Sequence, residues 1–138
     1  MDGPRRGPTR ILIVEDNPAN LLLTRAVLQR AGYHTSEAHS AEAALDLVYS
    51  ALPDVILMDV QLPGQDGLAL TKRLKSDPAT ASIPIVVLTA HAMSTDRVRA
   101  EAAGCDGYIS KPINTRTLAD EVARVIRRSA VAKPEQPA

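Results

Sequence analysis

The chain has 138 residues, 45% of them apolar, which suits one domain with a core of ordinary size. Its 16 basic and 16 acidic residues cancel, so the positive excess of a duplex-binding surface is missing, and neither nucleic acid nor an anionic membrane is expected as a partner. Cys105 is the one cysteine, which excludes an intrachain disulfide and a cysteine zinc cluster and suits a buried or half-buried thiol in a reducing compartment.

From the N-terminus, Met1 to Pro8 carries two arginines but no apolar stretch fit for a signal peptide. No segment approaches the roughly 20 apolar residues of a membrane span. A loose tail over 1–8 and a cytoplasmic location are expected. Arg10–Val14 then opens an alternation of short apolar runs and helical stretches. Pro18 suits a first helical position and Gly32 a stop. His34–Glu37 is polar and alternating, as an edge strand would be. Ser40 can cap a helix with Ala41, Ala44, Leu45 and Val48 on its apolar face. After the run Asp54–Met58, Asp66 opens a third helix that stops before Pro78. The run Pro84–Leu88 leads to a fourth helix, roughly Ser94–Ala103, with Val98 and Ala102 as its apolar pair and the thinnest packing expected. Gly107–Ser110 is the fifth run, and Asn114 can cap the last helix, whose stripe is Leu118, Val122, Val125 and Ile126. The domain is expected over 9–129, followed by a loose tail over 130–138.

Three of the runs are continuously apolar, the pattern of strands covered on both faces. Alternation with helices predicts a doubly wound α/β fold, a five-stranded parallel (βα)5 sheet with helices on both faces, and of the common orders for such sheets the flavodoxin-like 2-1-3-4-5 is the one expected. In that order the first and third strands are neighbours, and a crevice opens beyond their carboxyl ends. Glu15-Asp16 follows the first run and Asp59 the third, so three carboxylates meet there. They repel one another unless a cation sits among them, and oxygen ligands select a hard ion such as Mg²⁺. Thr89 and Lys111 end the fourth and fifth runs on the same rim. Any one of these residues alone is more often a cap, a turn residue or a solvated charge. Together they suit a phosphoryl group, whose oxygens need fixed positive charge and hydrogen-bond donors.

The segments Ile11-Leu-Ile-Val-Glu-Asp-Asn17, Val55-Ile-Leu-Met-Asp-Val-Gln-Leu-Pro-Gly64, Val87-Leu-Thr-Ala90 and Gly107-Tyr-Ile-Ser-Lys-Pro112 resemble response-regulator receiver domains, the CheY-like family, over about Thr9 to Arg128. Ala90-His-Ala-Met93 and Gly104–Ile113 are similar to free-standing regulators of the DivK type and to hybrid-kinase receivers. The resemblance implies a two-component phosphorelay regulator and not a turnover enzyme. Asp59 would take the phosphoryl group from a histidine kinase or a histidine phosphotransfer protein. Asp16, Asp59 and the Gln61 main-chain carbonyl would bind Mg²⁺, with Glu15 acting through water. Lys111 would pair with a phosphoryl oxygen, Thr89 and Tyr108 would be the switch pair, and the Lys111–Pro112 bond would be cis. Gln61 and His91 stand at the positions that tune phosphoryl lifetime, with a solvated imidazole as the plainer reading of His91. An effector would read a surface made of the fourth helix, fifth strand and fifth helix.

Three other readings compete. One is a degenerate receiver, a binding module that is never phosphorylated, against which Asp16, Asp59, Thr89 and Lys111 all speak. A second is an aspartyl phosphatase, whose nucleophile would end the first strand within Asp-x-Asp. The third is a flavodoxin-like nucleotide carrier, disfavoured because the loop Glu15–Asn20 is acidic and lacks glycine.

Overall fold

The computed structural model describes residues 9–62, 65–90 and 95–132. The strands of the main sheet are β1 (Arg10–Val14), β2 (His34–Ala38), β3 (Val55–Asp59), β4 (Ile85–Thr89) and β5 (Gly107–Ser110). The helices are α1 (Pro18–Arg30), α2 (Ala41–Ser50), α3 (Gly67–Ser76), α4 (Thr95–Ala103) and α5 (Leu118–Ala132). All four pairings in the sheet are parallel, in the order β2-β1-β3-β4-β5. The expected doubly wound topology is the one observed.

Alternate strand residues serve opposite faces, because successive side chains of a strand point to opposite sides. Leu12, Val14, Ile56, Met58, Ile85 and Val87 join one core cluster with Ala44 and Val48 of α2, Leu70 and Leu74 of α3, and Ala100 and Ala103 of α4. Ile11, Ile13, Val55, Leu57, Val86 and Leu88 join the other, with Leu21 and Leu28 of α1 and Leu118, Val122 and Val125 of α5. The continuous apolar runs are thus two interleaved stripes, each with its own helices.

Helix ends follow the chemistry read from the sequence. Asn17 accepts from the Asn20 amide, Ser40 from that of Ala43 and Asp66 from that of Leu68. Gly32 ends α1 with φ of 99°, a left-handed value that other residues adopt only with strain. Asn114 caps the turn ahead of α5: its side chain accepts from the Arg116 amide and its carbonyl from those of Thr117 and Leu118.

Some boundaries and faces differ from expectation. Strands β3 and β4 run one residue further than the apolar runs, so Asp59 and Thr89 are the last residues of their strands. The register explains this: Asp59 stands beside Leu88, Thr89 beside Ser110, and the Val60 amide still donates to the Leu88 carbonyl at 3.1 Å. The α4 face is not Val98 with Ala102. Val98 is 67% exposed, and Ala100 and Ala103 are the buried pair, set on α3. The small Ala100 and Ala103 side chains are the ones that pack into the core shared with Leu70 and Leu74 of α3. Helix α5 continues to Ala132, past the boundary expected at 129, while the expected tail residues 1–8 and 133–138 lie outside the described residues.

The amino-terminal edge of the sheet is closed by two aspartates in matching places. Asp54, just ahead of β3, accepts from the Arg10 amide at 2.8 Å, and Asp106, just ahead of β5, accepts from the Ile85 amide at 2.8 Å. Lys75 of α3 reaches the same corner, with Nζ 2.6 Å from Asp106 and donating to the carbonyls of Ala81 and Ile83.

Candidate functional site

The opposite, carboxyl-terminal edge gathers the acidic residues. Val14 ends β1, so Glu15 and Asp16 emerge directly above it, and Met58, beside Val14 in the register, brings Asp59 next to them. One carboxylate oxygen from each of Glu15, Asp16 and Asp59 lies within 4.8 Å of the others. Glu15 and Asp59 are 1% and 3% exposed, whereas Asp16 faces solvent. The three carboxylates predicted to share a crevice do share one.

Lys111, just past β5, is the balancing charge. Its Nζ stands 2.9 Å from Asp59 Oδ1 and 3.9 Å from Glu15 Oε1. Its amide donates to the Thr89 carbonyl at 2.8 Å, which fixes where the chain turns over the site, and the Lys111–Pro112 peptide is cis. Backbone amides hold the acids from below: that of Asn17 donates to Glu15 Oε2 at 3.2 Å, and that of Gln61 to Asp59 Oδ1 at 3.1 Å. Burial pushes the Glu15 carboxyl from 4.5 up to about 7, and the neighbouring Asp59 carboxylate adds to the rise while Lys111 opposes it.

This arrangement fits a divalent cation. Glu15 Oε1 is buried without a hydrogen-bond partner, a costly state for a carboxylate oxygen unless positive charge approaches it. Three carboxylates against one lysine leave the crevice short of positive charge, and the donors are all oxygen, the set that a hard ion prefers. Zinc or iron chemistry would call for nitrogen or sulfur ligands, and among the described residues this cluster has none.

Thr89 is buried on the same rim, 1% exposed, and Tyr108 is half-buried on β5 beside Val87. Arg97 lies over the Tyr108 ring, 5.1 Å from its centroid, and the Tyr108 hydroxyl reaches Glu101 Oε2 at 3.5 Å. Both partners belong to α4, so the tyrosine is gripped by that helix. The Gln61 side chain is exposed at the rim, and His91 lies outside the described residues.

Sequence reasoning missed the loop that closes the site. Gln61–Leu62 pairs antiparallel with Gln65–Asp66, and the Gly67 amide donates to the Val60 carbonyl at 2.7 Å. A Cβ at Gly67 would fall 2.0 Å from the Asp59 carbonyl oxygen, so only glycine fits. A glycine directly after a capping aspartate was the signal for this close approach. Nothing in the sequence announced that Arg99 of α4 ion-pairs with Asp66.

Fold and site together define a flavodoxin-like α/β domain with an acidic, cation-ready crevice at its switch point. Residues 11–123 match the response regulator receiver domain, and the chain belongs to that family. It is 45% identical to the polar-differentiation response regulator DivK of Brucella anthropi over 107 residues, which is 78% of this chain and 87% of that one. A putative response regulator from Chloroflexus aurantiacus superposes with a TM-score of 0.84 at 36% identity, covering 88% of this chain and 99% of that one. The receiver domain of sensor histidine kinase PA1611 from Pseudomonas aeruginosa superposes with a TM-score of 0.80 at 32% identity, covering 88% of this chain and 99% of that one. Its crystal structure has a magnesium ion coordinated in the active site cleft. Among the described residues no helix is long and apolar enough to cross a membrane.

Proposed function

We propose that this receiver is a phosphoacceptor in a two-component relay, taking a phosphoryl group on Asp59 from the phosphohistidine of a kinase or phosphotransfer protein. The observation that carries this reading is Asp59 itself: a 3% exposed carboxylate at a strand end, 2.9 Å from a lysine and within an acidic cluster. An Asp59 oxygen attacks phosphorus, the phosphorus–nitrogen bond breaks, and its electron pair returns to the imidazole. Asp16, Asp59 and the Gln61 carbonyl would hold Mg²⁺, with Glu15 through water. The ion would supply positive charge to phosphoryl oxygens during transfer. Lys111 carries a second positive charge to the same oxygens. The Gln61 amide, already donating to Asp59 Oδ1, orients the attacking carboxylate.

Phosphorylation makes the site bulkier and more negative. The Thr89 hydroxyl then hydrogen-bonds a phosphoryl oxygen, and the space it leaves admits the Tyr108 ring. The phosphorylated state gains only what these contacts are worth over the resting grip of Arg97 and Glu101, so it acts by shifting a two-state population. The resulting signal is read from the surface of α4, β5 and α5 by an effector protein, in the cytoplasm. Gln61 and His91 tune attack by water on the acyl phosphate. The chain itself turns over no substrate; it promotes only its own phosphorylation and dephosphorylation.

Intact-protein mass spectrometry after incubation with Mg²⁺ and acetyl phosphate tests the reading. One added phosphoryl group is expected, absent from Asp59→Asn and absent without Mg²⁺. No adduct, together with no binding of beryllofluoride, would replace the phosphoacceptor by an unphosphorylated binding module.

A further inference from the structure

The turn that closes over Asp59 is held from outside. It starts at the phosphoacceptor, and its end is packed against it, since Gly67 comes so close that a Cβ would meet the Asp59 carbonyl at 2.0 Å. Within it, Gln61 stands opposite Asp66 in an antiparallel bridge. Gln61 sends its amide to Asp59 Oδ1 at 3.1 Å. Asp66 divides its two oxygens: Oδ1 caps the Leu68 amide at 2.8 Å, and Oδ2 ion-pairs with the Arg99 guanidinium of α4. A chain of contacts therefore runs from α4 through Asp66 and Gln61 to the carboxylate in the crevice.

Among the described side chains of α4 the buried ones are Ala100 and Ala103, and its one large apolar side chain, Val98, is 67% exposed. Methyl-sized contacts set little resistance to a shift of the helix. The polar arms matter more here than they would on a helix with a deep apolar face. Arg99 points to the turn, while Arg97 and Glu101 grip Tyr108.

We propose that Arg99, acting through Asp66, is a positioning residue for the Asp59 site, so that the placement of α4 sets how well the Gln61 turn serves the cation and the incoming phosphoryl group. The coupling is reciprocal: a partner that moves α4 alters the chemistry at Asp59, independently of Thr89 and Tyr108. This inference rests on the phosphoacceptor reading but reaches a residue outside the crevice.

The test uses the full chain with Asp66→Asn, Arg99→Gln, Arg99→Lys and the double variant Asp66→Asn with Arg99→Gln. Asparagine caps a helix as well as aspartate does, so Asp66→Asn removes the charge and keeps the cap. Mg²⁺ affinity is read from the Gln61 amide signal in NMR titration, and phosphorylation from the rate with acetyl phosphate. Each charge-removing variant should weaken Mg²⁺ binding and slow phosphorylation by about two- to fivefold, the range of a half-exposed ion pair. The double variant should be no worse than either single one, and Arg99→Lys should recover part of the loss. Unchanged Mg²⁺ affinity in the single variants, or additive losses in the double, would overturn the proposal. If the wild type takes up no phosphoryl group, the phosphoacceptor reading fails by itself, and the Mg²⁺ titration still decides the role of Arg99.

Discussion

Glu15 shows how much a single buried carboxyl can be asked to do. It is 1% exposed, one oxygen accepts from the Asn17 amide at 3.2 Å, and the other has no hydrogen-bond partner. Its carboxyl rises from 4.5 to about 7 chiefly through burial. The metal-free fold therefore holds a proton that the unfolded chain has already released. The Glu15 contribution to stability is full below pH 4.5 and is lost as pH rises through about 7. Thermal unfolding of metal-free wild type beside Glu15→Gln should show this as a slope present in the first and flattened in the second. Mg²⁺ should raise the melting temperature of the wild type more above pH 7 than near pH 5, because the carboxylate it meets is ionised only at the higher pH. An equal rise at both would remove Glu15 from the cation site. The position of Glu15 was legible from the sequence because it follows an apolar run. Its titration was not, since that depends first on burial in the folded crevice and then on the Asp59 side chain 44 residues on.

Among the elements, α4 is where sequence reading and structure part. Strand runs and the α5 face were readable because Val, Leu and Ile mark buried positions strongly, and in α2 Val48 anchors a face whose other buried residues are Ala41 and Ala44. In α4 the buried pair is Ala100 and Ala103, and alanine is equally at home on a helix surface. Val98, the residue with the strongest apolar signal, points to solvent. Substituting Val98→Ser should leave stability within about 0.5 kcal/mol, whereas Ala100→Leu should cost about 1–3 kcal/mol by forcing α4 off α3. Chemical denaturation of the two variants checks this, and the reverse order would restore the face read from the sequence. Amide exchange should find α4 the least protected helix, because its described buried side chains are two alanines.

Over the whole molecule, aspartates serve at both ends of the sheet in different ways. At the carboxyl edge Asp16 and Asp59 are crowded by like charge, and at the amino edge Asp54 and Asp106 each accept a strand amide. The topology and the upper cluster could be read from where apolar runs stop. The lower fastening could not, because an aspartate before a strand has many bland readings and its partners are 44 and 21 residues away. Asp106→Ala should cost about 2 kcal/mol, since it removes the counter-ion of the 14% exposed Lys75 ammonium and the side-chain acceptor of the Ile85 amide, yet the folded fraction should still be phosphorylated at the normal rate. Asp59→Asn should do the opposite, with no adduct and an undiminished melting temperature, since it relieves repulsion with Glu15 and Asp16. Calorimetry alongside the mass assay separates the two.

That division of labour has a consequence for cells carrying a damaged copy. Because Asp59→Asn removes one charge from a crowd of three carboxylates, a chain inactivated at Asp59 would not be lost to misfolding. On the phosphoacceptor reading it would keep its helical surfaces and still dock on the kinase, while passing no phosphoryl group onward.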